Sequence, residues 1–289
     1  MSRRGLPVGL AVAFFTAALL AGCAGALRLV YDNADAFVRW KADGYVRLSG
    51  ADSEELDERI DSFFDWHRTK ALPKYAAIAQ DGAKRVARGL SQGDLVWGYD
   101  SLVANGTEGI RAAADRLAPL LDRVGPEQLR NIERGFAEDN RRFAKDYLRG
   151  SEEERRTRRV KRMAERIEDF VGRLSDAQLA RVEEFARRVP QSDELRDRDR
   201  RRLQAGLLEI VRQQKAGERL PDYAANWQKG RDPAYAASSE HFRKELFALI
   251  LDLDRMLTPE QRARAVAKLQ RYGDDFAALA AARERRPPQ

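Results

Sequence analysis

The chain has 289 residues, 34% of them charged, with 53 Lys or Arg against 46 Asp or Glu and a formal net charge of +7. That length serves one large domain or two small ones. A single cysteine excludes an internal disulfide, and two histidines in separate segments, with no HxxxH or CxxC pattern, argue against a zinc site.

Residues 1–22 have the layout of an export signal: Arg3 and Arg4, an apolar run from Leu10 to Leu20, then the small residues Ala21 and Gly22 before Cys23. The apolar run is too short to span a bilayer permanently. Leu20-Ala21-Gly22-Cys23 looks like a bacterial lipobox, in which the cysteine thiol is alkylated by diacylglycerol before cleavage on its N-terminal side. Two ester-linked chains and one amide-linked chain, each methylene contributing about 0.8 kcal/mol, would exceed what stable anchoring requires. Ala24 stands where an aspartate would signal inner-membrane retention, so an outer-membrane anchor facing the periplasm is expected. Removal of Arg3 and Arg4 lowers the net charge by two. The acidic surfaces left for a basic exported chain are lipid head groups and cell-wall polymers, not nucleic acid.

Beyond Ala34 apolar residues recur at helical spacing. Leu56, Ile60, Phe63, Phe64 and His67 share a face, as do Leu129, Ile132, Phe136 and Phe143. Val160, Met163, Ile167 and Phe170 follow, then Leu179, Val182 and Phe185, then Leu203, Leu207, Ile210 and Val211. Phe242, Leu246, Leu249, Ile250 and Leu253 precede a last stripe through Val266, Leu269 and Phe276. No period-two alternation occurs, so the expectation is an all-α multi-helix bundle of long amphipathic helices without a sheet. Breaks are expected at Pro73, Gly89–Gly93, Asn105-Gly106, Gly125-Pro126, Gly150, Pro190, Pro221 and Gly230–Pro233. The basic runs at 154–166 and 196–202 carry acidic neighbours and read as solvated faces rather than an anion site.

"LPKYAAIAQDG" (72–82) and "LPDYAANWQKG" (220–230) agree at seven of eleven positions. Each is followed by a second match, "LDRVGPEQ" (121–128) and "LDRMLTPEQ" (253–261). Two related helical halves are expected, 48–150 and 174–285, joined by a charged helix over 151–173. An N-terminal segment with a first helix (23–47) precedes them, and a disordered tail (286–289) follows. "LTPEQ" and "LSDAQ" (174–178) are also capping boxes, with Thr258 and Ser175 as caps and Gln261 and Gln178 reaching back.

Those two segments resemble the LTxxQ motif of small periplasmic Spy-type chaperones, all-helical proteins that hold client chains without ATP. "YDNAD" (31–35) and "FFDWHR…LPKYA" (63–76) resemble a family of Gram-negative outer-envelope lipoproteins of unknown function, best over 23–150. The resemblance implies lipidation, an envelope location and an all-helical build, and it brings no catalytic residues.

No Gly-rich phosphate loop and no G-x-S-x-G elbow is present, so no cofactor or small-molecule substrate is expected. Cys23 is taken by lipid, and His67 falls on an apolar face as a core residue. Asp61 with Asp65, or Asp274 with Asp275, are spacings that 46 acidic residues produce by chance. In "YDNAD", Asp32 or Asn33 can cap the helix from Ala34. Tyr31, Asn33, Asp35, Trp66 and Arg68 are the candidate contact surface. The expected role is a non-catalytic one, binding envelope clients or scaffolding partners. A cell-wall hydrolase and a structural or stress-response accessory remain as alternatives.

Overall fold

The computed structural model describes residues 26–282, so Cys23, the export signal and the C-terminal tail lie outside the described residues. Short helices α1 (Ala26–Asp32) and α2 (Ala34–Val46) lead into α3 (Ala51–Trp66), a π-helical turn (His67–Ala71) and α4 (Leu72–Ala87). The long α5 (Gln92–Leu121) follows, then α6 (Pro126–Phe143), a second π turn (Ala144–Leu148) and α7 (Glu152–Val171). The remainder is α8 (Asp176–Arg188), α9 (Asp193–Arg212), α10 (Ala216–Ala225), α11 (Pro233–Met256) and α12 (Pro259–Ala281). Among the described residues there is no strand, and the all-α multi-helix bundle read from the periodicity is what the chain forms.

Many of the residues in the sequence stripes are the ones buried: Leu56, Ile60, Phe136, Val182, Ile210, Leu249 and Phe276 among them. Each large apolar side chain taken from water contributes roughly 1.5–3 kcal/mol. The core is divided. α1, α4 and α12 enclose Leu27, Leu72, Tyr75 and Phe276; α8 and α11 enclose Val182, Phe185, Leu249 and Leu253. α5, α9 and α10 meet at Ala118, Ile210 and Leu220, and α2, α3 and α5 meet around Leu56, Ile60 and Leu120.

Three expected breaks are corrected. Asn105-Gly106 lies inside α5, where Asn105 Nδ2 donates to the Ser101 carbonyl at 2.8 Å and the helix runs through. Pro221 lies inside α10. Pro73 does not end a helix either. α3 passes into α4 through the π turn, in which the Leu72 amide bonds to the His67 carbonyl five residues back. The proline ring would clash with the carbonyl four residues before it, and the wider turn relieves that clash without stopping the chain. Leu72-Pro73 therefore opens α4 while Leu220-Pro221 sits within α10, and the two Pro-Glu-Gln segments open α6 and α12.

Both capping boxes form: Ser175 Oγ accepts from the Gln178 amide and Thr258 Oγ1 from the Gln261 amide. The two glutamines also meet each other. Gln178 Nε2 donates to Gln261 Oε1 at 2.8 Å, and Gln261 Nε2 donates back to Gln178 Oε1 at 3.1 Å. Gln178 Nε2 further reaches the Met256 carbonyl, and Gln261 Nε2 the Arg173 carbonyl, each two residues before the opposite cap. The α7–α8 and α11–α12 connections are thus locked by a reciprocal amide pair, with Gln178 only 1% exposed.

Candidate functional site

The π turn inserts one residue into a helix that otherwise keeps 3.6 residues per turn, and its two end residues, His67 and Ala71, are both buried. His67 is 4% exposed and lies among the rings of Phe63, Trp66 and Tyr75. Tyr31, from the end of α1, stacks on the imidazole, and its Oη shares a 2.7 Å hydrogen bond with His67 Nδ1. Phe64 meets the Tyr31 ring edge-on. Burial pushes the His67 pKa down to about 4, with the Arg68 guanidinium adding to the effect, so the ring is neutral at pH 7. Burial raises the Tyr31 phenol well above its usual range, against the opposing field of Arg68.

Arg68 covers the outer side of this cluster. Its guanidinium lies 4.9 Å from the Tyr31 ring centroid, and Nη2 is 3.6 Å from Asp32 Oδ1. Beyond it runs an open groove of about 820 Å³ between α4 and α12, lined by Thr69, Pro73, Gln80 and alanines 76, 77, 277, 280 and 281.

The five nominated residues separate into groups. Tyr31 and Arg68 come together around His67, and Tyr31 is 8% exposed, a core residue rather than a contact surface. Trp66 stacks on Phe63, with Arg116 5.7 Å from its ring. Asp35 accepts from Arg39 at 3.0 Å, and the same guanidinium binds Asp57 at 2.9 Å and Asp61, tying α2 to α3. Asn33 stands at the N-cap of α2, but its side chain does not close the cap, and Asp32 pairs with Arg68. The capping account of these two residues is therefore corrected.

The basic runs are answered largely by carboxylates. Arg155 donates to Glu194 at 2.5 Å, Arg156 to Glu152 and Glu153, and Arg202 to Asp199. Arg196 instead lies over the rings of Phe143 and Tyr147. Among the described residues no three His, Cys, Asp or Glu side chains form a metal-binding group, and no helix is long and apolar enough to cross a membrane.

Two exposed apolar features escaped the sequence reading. Val96, Tyr99 and Leu102 recur every three residues along α5 and stay 42%, 39% and 47% exposed. Trp40 on α2 is 59% exposed. Helical spacing marks such residues for one face, but which face stays uncovered depends on distant helices.

The fold and these clusters define an all-α protein with a buried Tyr-His pair, a shallow groove and exposed apolar stripes. The chain belongs to the family of unknown function DUF6279, whose model matches residues 44–235, well over half the sequence. The matched range includes the "FFDWHR…LPKYA" segment and begins after "YDNAD". No curated protein and no solved structure matches the chain.

Proposed function

We propose that the protein is a lipoprotein anchored through Cys23 to the outer membrane and facing the periplasm, where it binds unfolded or partly folded envelope proteins without catalysis or cofactor. The observation that carries the binding role is the α5 stripe of Val96, Tyr99 and Leu102. It is rimmed by charge, with Arg243 lying 5.0 Å from the Tyr99 ring and donating to Glu240 at 2.6 Å. Exposed apolar surface with a polar rim suits capture of apolar chain segments. The LTxxQ-like segments support the same reading through their likeness to the Spy-type chaperones, since the Gln178–Gln261 pair goes beyond what a helix cap requires.

The test is aggregation of a model unfolded protein, with the chain from Ala24 onward added at near-stoichiometric ratio and no ATP. Aggregation should slow, and Tyr99→Lys with Leu102→Lys should abolish the effect while leaving the circular dichroism spectrum unchanged. A well-folded wild-type chain that leaves several clients aggregating at the same rate would falsify the chaperone role. A scaffold for folded partners would then be the better account.

A further inference from the structure

We propose that the outward side of α1–α2, carrying Val30, Phe37 and Trp40, seats on the lipid bilayer beside the anchor and lays these helices flat on the membrane. The proposal rests on the anchoring of Cys23 put forward above. On α2 the inward side is marked by buried Ala34 and by Val38 and Ala42, which pack toward Leu56, Ile60 and Leu120. Positions 30, 33, 37, 40 and 44, at alternating spacings of three and four, run along one flank of the outward side and hold Val30, Asn33, half-buried Phe37, Trp40 and Gly44, bordered by exposed Asp32, Ala36 and Asp43. None of the five is charged, in a chain where 34% of residues are. Trp40 is 59% exposed, Val30 37%, and the Phe37 and Trp40 rings are 5.7 Å apart. The Phe37 amide donates to the carbonyl of the N-cap Asn33 at 3.1 Å and opens α2 directly after α1. The stripe is about 21 Å long at 1.5 Å per residue.

The occupant follows from where this stripe lies in the chain. Cys23 is three residues before Ala26, so the start of α1 is within about 11 Å of the acylated residue even with the connection fully extended. A helix pair tethered so closely presents its uncharged stripe either to water or to the bilayer. Tryptophan favours the lipid–water boundary, where its apolar body is buried and its N–H stays hydrated. A stripe one helix wide falls well short of the roughly 20–30 residues a side of a stable protein interface, which argues against a second copy. No described helix spans a membrane, so the contact is interfacial.

The test uses the full acylated chain in vesicles of phosphatidylethanolamine and phosphatidylglycerol. Cys23 is the only cysteine and its thiol is alkylated in this reading, so Trp40→Cys and Leu102→Cys each offer one thiol to a fluorophore. Position 102 is the control, about 27 Å along α5 from Leu120, the part of α5 nearest α2. Nitroxide-bearing lipids should quench the fluorophore at 40 several-fold more than the one at 102. Equal, weak quenching on floating vesicles would overturn the membrane seat and leave the anchor standing. A fluorophore at 40 that is shielded from water yet untouched by lipid nitroxide would point to a protein partner and overturn it too. A wild-type chain that itself takes the thiol label and stays in the aqueous fraction would overturn the anchor and the membrane seat together.

Discussion

At the residue scale, the His67 imidazole is held neutral by burial, with the Arg68 guanidinium adding to the effect, and that has a consequence for stability. The folded pKa of about 4 lies below the ordinary 6.5, so between those values the unfolded chain binds a proton that the folded chain refuses. The stabilisation is complete above pH 6.5 and is lost as pH falls through 4, a difference of about 3 kcal/mol at 1.36 kcal/mol per unit. His67→Gln should flatten that stretch of the stability–pH profile in urea titrations, and an unchanged slope would remove His67 as its source. The Gln178–Gln261 pair makes a second residue-scale prediction. Gln178→Ala removes both amide contacts to Gln261 and the side-chain donor to the Met256 carbonyl, at a cost of about 1–3 kcal/mol, while Gln261 keeps its bond to the Arg173 carbonyl. Gln178→Ala with Gln261→Ala should cost clearly less than the sum of the single changes, because the two amides serve each other. Strict additivity would mean that each glutamine does no more than cap its own helix.

Between elements, α4 and α12 approach through small residues. A Cβ built on Gly273 would lie 2.7 Å from Gln80 Cγ and 3.3 Å from the Ala76 carbonyl, so the helices are in contact through the glycine's missing side chain. Gly273→Val should destabilise by about 1–3 kcal/mol through overpacking. Gly109, in α5, has open space around its Cβ position, and Gly109→Ala should instead stabilise by roughly 0.5–1 kcal/mol through helix propensity. Denaturant midpoints measured side by side decide the matter: a Gly273→Val chain no less stable than the wild type would mean that α4 and α12 are not packed as described. The same contrast explains how far the sequence could be read. Both are glycines inside helical patterns, and only the neighbouring helix distinguishes them.

For the whole molecule, the interleaved charge does more than solvate helix faces. Asp139 is held beside Tyr45, Lys41 and Arg142; Asp254 takes Arg262 at 2.8 Å and the Leu90 amide at 3.0 Å, joining segments far apart in sequence. Lys268 Nζ is 2.6 Å from Asp169 Oδ2 and ties α12 to α7. Such buried pairs are costly to break one partner at a time. The prediction at this scale concerns the anchor. In the proposed lipoprotein reading Cys23→Ser removes the thiol that carries the lipid, so the variant should lose incorporation of labelled palmitate and leave the outer-membrane fraction. Continued labelling of the serine variant would place the lipid elsewhere or remove it from the account.

Local energetics made much of this protein legible from its sequence. Periodicity of 3.6 marked α3, α6 to α9, α11 and α12 and many of their buried residues, from Leu56 and Ile60 to Leu249 and Leu253, because burial of one stripe is what makes a soluble helix stable; it did not pick out α1, α2, α4, α5 or α10. Gly125-Pro126, Gly150, Pro190 and Gly230–Pro233 ended or opened helices, and Ser175 and Thr258 capped them, because a cap is an interaction among four consecutive residues. Tertiary structure alone decided that Pro73 widens a helix instead of ending it, that α5 runs through Asn105-Gly106, and that Tyr31 is buried on His67. It alone joined Gln178 to Gln261 and left Trp40 and the α5 stripe uncovered. These outcomes depend on which helix arrives from tens or hundreds of residues away, and a residue's own neighbours in sequence carry no record of that.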